Sequence, residues 1–198
     1  MPKAYDTQSL NQYQDLKPAS DDRERFKIIS KYCVGDVLDA GCGSGLLKNY
    51  LNKDRINSYI GLDVDGKIDI HGSVYDLPFK NESFDTVTTL EVLEHLEHPI
   101  DALKEVVRVS KRRVIISVPN PWNINQIISL ITRNHNIMEP NHVNLFGDNE
   151  IERLCERVGI KIVKKERFYI LTPILRKLIP IKSRFGQWSI YVCEKRHE

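Results

Sequence analysis

Apolar residues along the chain follow two rhythms that take turns. After a polar arm to about Ala19, Asp21 with Glu24 three residues later resembles a capping box, and Phe26, Ile28, Ile29 and Tyr32 predict an opening helix. Asp36 to Asp39 reads as a short buried strand running into the turn Gly41-Cys42-Gly43-Ser44-Gly45, after which Leu46, Leu47, Tyr50 and Leu51 recur at helical spacing. Ser58 to Asp63 is a second strand, Ile68 to His71 a short third, and Phe84 to Leu90 a fourth, rich in Thr and Val. Ile100, Leu103, Val106 and Val107 mark the next helix, which ends before a strand Val114 to Val118 that stops at Pro119. Residues 120–147 interrupt the alternation with a mixed segment too long for a plain connection. Asp148 then reads as an N-cap, with Ile151, Leu154, Cys155 and Val158 on one helical face and Gly159 at the stop position. Ile160 to Val163 and Trp188 to Cys193 complete the strands, separated by Tyr169 to Phe185, where Pro173 and Pro180 limit helix length.

Repeated strand–helix alternation predicts an α/β fold: a doubly wound sandwich on a mainly parallel sheet, with ligands bound beyond the carboxyl ends of the strands at the switch point. Composition narrows this further. The chain has 198 residues, 41% hydrophobic and 28% charged, which suits a single domain over 1–198 and excludes disordered or collagen-like classes. No aliphatic run approaches the ~20 residues of a membrane-spanning helix. The first ten residues show no basic segment followed by an apolar one, so no secretory leader is expected. Four cysteines without a C-x-x-C pair suit reduced thiols and a cytoplasmic protein.

Charge is unevenly spread. Residues 1–160 hold 19 Lys+Arg against 24 Asp+Glu, whereas residues 161–198 hold 10 against 3. The basic end could attract an anionic substrate, lipid headgroups or RNA, but no aromatic RNA-binding signature accompanies it, so a nucleic-acid partner is not expected and a solvated surface is favoured.

The glycine turn decides the ligand. A lone glycine-rich turn after a strand also occurs in dinucleotide sites, so the neighbouring charges matter. Asp39, two residues before Gly41, would repel a pyrophosphate and attract an ammonium group. Gly41, Gly43 and Gly45 let the turn approach a ligand closely. Asp63, 18 residues after Gly45 at the end of the second strand, is placed to accept both hydroxyls of a ribose, with Val64 beside it to pack on a purine. A ligand with an amino acid end, a ribose and an adenine meets all of these expectations: S-adenosyl-L-methionine.

Val37-Leu-Asp-Ala-Gly-Cys-Gly-Ser-Gly45, Ile60-Gly-Leu-Asp63, Asp76-Leu-Pro-Phe79, Ser83-Phe-Asp85 and Glu91-Val-Leu-Glu-His-Leu96 together resemble the successive motifs of class I S-adenosylmethionine-dependent methyltransferases of type 11, the ubiquinone/menaquinone-biosynthesis-like group. Residues 34–118 carry the resemblance closely, and Val143-Asn-Leu-Phe146 more loosely. It implies a Rossmann-like, seven-stranded sheet with an antiparallel last strand, S-adenosyl-L-homocysteine as product, and Ser73, Val74 and Glu91 as further cofactor-binding residues. Ser73 stands where the family has an acidic residue against the adenine, and the connection from Asp63 to Ser73 leaves no room for the family's second helix. From the residue pattern, the N-terminal arm 1–19 is expected to stand apart, and segments 120–147 and 169–185 to cover the acceptor pocket.

Methyl transfer requires in-line alignment and, for a hydroxyl or ammonium acceptor, removal of a proton. His95, after the fourth strand, and His142, in the long segment, are the candidate bases, although His95 could equally cap or orient its loop. Glu91-x-x-Glu94-His95 is similar to the metal-binding sequence of some quinone-pathway O-methyltransferases and small-RNA ribose methyltransferases, making Glu91, Glu94 and His95 candidate ligands for a divalent metal. A small-molecule acceptor methylated on oxygen is the favoured expectation. An RNA or protein methyltransferase, or a cofactor-binding protein without transfer activity, are the alternatives. Arg133, Arg176, Lys177, Lys182 and Arg184 would suit an amphiphilic or anionic acceptor, and Ile174 to Ile181 a peripheral membrane contact.

Overall fold

In a computed structural model of the chain, which describes residues 20–123, 141–172, 177–182 and 186–196, the run Val114 to Val118 is buried on both faces. Val114, Ile116 and Val118 enter one core and Ile115 the other. A strand without a polar face belongs in the interior of its sheet. Accordingly β5 (Ser110–Pro119) lies between β4 (Phe84–Leu90), parallel to it, and β8 (Trp188–Lys195), antiparallel. From β4 the sheet continues in parallel through β1 (Gly35–Ala40) and β2 (Ile56–Asp63) to β3 (Ile70–His71). From β8 it continues antiparallel through β6 (Ile160–Thr172) to β7 (Lys177–Lys182), giving the order β3-β2-β1-β4-β5-β8-β6-β7.

The seven strands expected from the sequence are all present, with the last one antiparallel, and β7 adds an eighth. It comes from the segment 169–185, whose described parts prolong β6 and form β7 at the far edge of the sheet. Pro180 is tolerated there because β7 pairs only with β6 among the described residues, so a missing donor costs no ladder bond on the outer side. That pairing covers only Phe168 to Thr172 of β6, and the register of β6 against β8 shifts between Ile162 and Lys164, leaving Val163 as an extra, exposed residue. Arg133, Arg176 and Arg184, and most of segment 120–147, lie outside the described residues.

Helices cover both faces. α1 (Ser20–Ser30) and a 3-10 turn at Leu46–Tyr50 bring Phe26, Ile29 and Leu47 against Val37, Leu90, Ile115 and Trp188. On the opposite face α2 (Pro99–Val109) and α3 (Asp148–Arg157) bring Leu103, Val106, Ile151 and Cys155 against Leu38, Ile116 and Tyr191. Three boundaries differ from expectation. α1 begins at Ser20, which puts Asp21 inside the first turn. The helix expected after Gly45 is a single 3-10 turn, because the backbone is already extended at Leu51. α3 is capped by Gly147, whose amide donates to Glu150 Oε2 (3.1 Å), while the Asp148 carboxylate accepts from Tyr191 Oη (2.7 Å) and pairs with Arg167. Gly159 ends α3 with φ 78°, in the left-handed region that terminates helices. As expected, no helix separates β2 from β3, and no described helix is long and apolar enough to cross a membrane.

Leu103 is fully buried between α2 and the sheet. Leu103→Ala is expected to lower unfolding free energy by about 2–5 kcal/mol in urea titration, through lost apolar contact and the cavity left behind.

Candidate functional site

The strand order reverses between β1 and β4, so a crevice opens at their carboxyl ends. The glycine turn 41–45 lies there. Gly41 has φ 81°, and a Cβ on it would come to 2.4 Å from Val92 Cγ2, so no other residue fits. A Cβ on Gly43, also at positive φ, would meet nothing within 4 Å, which marks the open side of the turn. The amides of Gly41 and Cys42 both donate to the Leu62 carbonyl (2.8 and 3.1 Å). The amide of Gly43 donates to Asp63 Oδ2 and that of Val64 to Asp63 Oδ1, each at 2.7 Å. Each of those oxygens has a second lone pair, so the braced carboxylate can accept two further hydroxyl donors. Val64 projects beside it, 61% exposed.

Asp39 is placed differently from the sequence expectation. It is only 2% exposed, beneath the turn, where Oδ1 accepts from Thr88 Oγ1 (2.6 Å) and Oδ2 from Tyr59 Oη (2.9 Å). Burial pushes its pKa up from 3.8 to about 6, against the opposing pull of those two hydrogen bonds and of Arg25. It therefore carries its charge at neutral pH mainly as a buried source of negative potential. Tyr59 and Thr88 were not singled out in the sequence, since each is an ordinary strand residue until its neighbour strand is known.

Beyond β4 the backbone turns sharply. Glu91 has φ 55°, a conformation that costs a non-glycine residue roughly 1–3 kcal/mol and gathers at functional sites. Its amide donates to the Ser117 carbonyl (3.0 Å), and its Oε1 accepts from Ser117 Oγ (2.7 Å) and lies 3.4 Å from Arg25 Nη1. Burial raises the Glu91 pKa. Arg25, 9% exposed, also pairs with Asp22 (2.9 Å), and its guanidinium carbon stands 5.3 Å from the Phe26 ring and 5.5 Å from the Trp188 ring. Glu91 thus faces α1.

A 3-10 turn, Leu93–His95, then buries Glu94 and turns His95 outward. The segment 141–147 is fastened onto this turn: the amides of Val143 and Asn144 donate to the Glu94 carbonyl (2.9 and 3.1 Å), and Asn144 Nδ2 donates to the Leu96 carbonyl (2.6 Å). His142 is thereby held edge-on to His95, ring centroids 4.8 Å apart. Glu94, His95 and His142 place one ligating atom each within 4.8 Å of one another, a group that contains two of the expected metal candidates and replaces Glu91 by His142. His95 Nδ1 is 3.1 Å from the Asn141 carbonyl; a carbonyl only accepts, so Nδ1 donates in this contact.

Ser73 spends its hydroxyl locally, accepting from the Tyr75 amide (3.2 Å), while its carbonyl accepts from Asp76 (3.1 Å). Val74 is buried in the core beneath.

A family described as a methyltransferase domain matches residues 12–165. A protein of Mycolicibacterium smegmatis named "probable S-adenosylmethionine-dependent methyltransferase" is 29% identical over 150 residues, covering 69% of this chain and 56% of its own length. The mitochondrial ubiquinone biosynthesis O-methyltransferase of Schizosaccharomyces pombe is 23% identical over 188 residues, covering 84% of this chain and 66% of its own. The match thus spans roughly half to two thirds of these relatives' lengths. Among solved structures, a SAM-dependent methyltransferase from Thermotoga maritima superposes with a TM-score of 0.65 at 16% identity, over 89% of this chain and 96% of that one.

Because the folded state holds Asp39 at a raised pKa, the stability linked to this group is full below pH 3.8 and is lost as pH rises through about 6. Asp39→Asn is therefore expected to exceed wild type in unfolding free energy by up to about 3 kcal/mol near pH 7, with the two curves converging toward pH 4 in calorimetric scans. A difference independent of pH would contradict this reading of the carboxylate.

Proposed function

Since the chain belongs to the methyltransferase-domain family, we propose that it transfers the methyl group of S-adenosyl-L-methionine to an oxygen of a small-molecule acceptor, releasing S-adenosyl-L-homocysteine. The observation that carries this reading is the Asp63 carboxylate, braced by the Gly43 and Val64 amides at the end of β2 with capacity for two more donors, as ribose hydroxyls require. The buried charge of Asp39, close beneath the same turn, favours a ligand bearing an ammonium and a sulfonium over one bearing a pyrophosphate. Val64 offers an apolar surface for the base.

In the transfer, the acceptor oxygen forms a bond to the methyl carbon as the carbon–sulfur bond breaks, and the hydroxyl proton must go to a base. His95 is the base in this reading: its Nδ1 donates to the Asn141 carbonyl, which fixes the ring at the end of β4. His142, held against it by the hydrogen bonds of residues 143 and 144 to Glu94, orients the ring.

One observation favours a metal-assisted version of the same reaction. One carboxylate and two imidazoles within 4.8 Å form a donor set that suits a divalent transition metal, and a His95 ring fixed through Nδ1 is oriented as metal-bound imidazoles are. Glu94, His95 and His142 would hold the ion, which would supply a lowered pKa for the acceptor hydroxyl. Glu91, engaged with Ser117 and Arg25, would not be a ligand.

Titration calorimetry is expected to show saturable binding of S-adenosyl-L-homocysteine, weakened at least about tenfold in Asp63→Ala, a cost of about 1.4 kcal/mol or more. Binding of nicotinamide dinucleotides in its place would overturn the cofactor assignment. With methyl-labelled cofactor and a panel of hydroxylated small molecules, His95→Ala is expected to reduce turnover about 100-fold or more. Excess chelator and Glu94→Gln should both abolish turnover if the metal assists, and full activity in chelator would leave His95 as the base. Labelling only of RNA or protein would redirect the acceptor assignment, and binding without labelling would favour a binding protein.

A further inference from the structure

Resting on the cofactor reading above, we propose that Glu105 and Arg108 of α2 are positioning residues for the adenine side of the site, shaping the loop 73–79 and so setting the affinity and selectivity for the cofactor's base. The loop follows Gly72, whose amide donates to the Asp63 carbonyl (2.8 Å), so it starts beside the candidate ribose site. No helix joins β2 to β3, and Ser73 supplies a neutral hydroxyl already engaged with Tyr75.

Arg108 has five N–H donors, and all five are engaged. Nε donates to Glu105 Oε1 (2.8 Å) and Nη2 to Glu105 Oε2 (2.7 Å), a bidentate pair that locks the guanidinium plane. Nη2 also donates to the Leu77 carbonyl (2.9 Å), and Nη1 donates to the Phe79 carbonyl (2.7 Å) and Asn81 Oδ1 (3.0 Å). Glu105 Oε2 in turn accepts from the Leu77 amide (3.0 Å). Both peptide groups of Leu77 therefore end on one ion pair. A surface pair of this kind normally contributes little, and the Lys104–Asp101 pair on the same helix illustrates it: both side chains are more than half exposed. The Glu105–Arg108 pair differs because it makes three hydrogen bonds to the loop, two donated by Arg108 to the Leu77 and Phe79 carbonyls and one accepted by Glu105 from the Leu77 amide. The clamp works together with the burial of Leu77 and the edge-on stacking of Phe79 on Phe84 at 4.9 Å. Lysine cannot replace Arg108, since a single ammonium cannot span Glu105, Leu77 and Phe79 at once.

The test titrates S-adenosyl-L-homocysteine, and its analogue with hypoxanthine in place of adenine, into wild type, Arg108→Lys, Glu105→Gln and Lys104→Ala, with circular dichroism to verify folding. Arg108→Lys is expected to bind S-adenosyl-L-homocysteine about tenfold more weakly and to lose most of the preference for adenine, with kcat at saturating cofactor within about twofold of wild type. Glu105→Gln should shift both quantities in the same direction and carries the test if Arg108→Lys does not fold. Lys104→Ala should leave both unchanged. Affinity and base preference equal to wild type in folded Arg108→Lys and Glu105→Gln would overturn the proposal while sparing the cofactor reading. Failure of wild type itself to bind would overturn both.

Discussion

Three consecutive amides, those of Gly41, Cys42 and Gly43, all donate to the last two residues of β2. This fastening makes the crevice a site instead of a gap between strands. It requires positive φ at Gly41 and Gly43 and allows no side chain at Gly41, where Val92 fills the space. It also sets the orientation of Asp63, because the same hydrogen bond that anchors the turn holds the carboxylate. Loop, strand end and ligand-facing acid are thus one unit, and a change at any of them moves the others.

Electrostatics beneath and beside this unit follow from burial. Asp39 and Glu91 lose hydration and both titrate higher than exposed carboxylates do. Their compensation comes from different directions: Tyr59 and Thr88 lie within the sheet, whereas Arg25 reaches in from α1 between two aromatic rings. α1 is for this reason more than a cover for the apolar face. It delivers a cation to the tip of β4, where the backbone of Glu91 is already strained.

The parts of the molecule that were legible in the sequence are those whose cause is local. Alternation of period two and period 3.6 located the strands and α2, and the glycine turn with Asp63 located the cofactor side of the site. What escaped depends on partners distant in the chain. Nothing next to Asp39 in sequence foretells its burial, because the groups that satisfy it sit on β2 and β4. The meeting of His142 with His95 follows from backbone hydrogen bonds to one carbonyl, that of Glu94, which no side-chain pattern encodes. Glu91 leaves the group with Glu94 and His95 because a single left-handed residue turns it toward Ser117. β7 was obscured by Pro180, which argues against a strand except at an edge.

The bulge at Val163 shapes an open edge of the sheet. Over Ile160 to Arg167, β6 pairs only with β8 among the described residues, so its other rim is a strand edge there. An extra residue at Val163 breaks the register of that rim, and Lys164 and Lys165 beside it are held in ion pairs with Glu166 and with Asp148 and Glu152. A bulge and charged side chains, lysine above all, are the features by which an edge strand discourages edge-to-edge pairing.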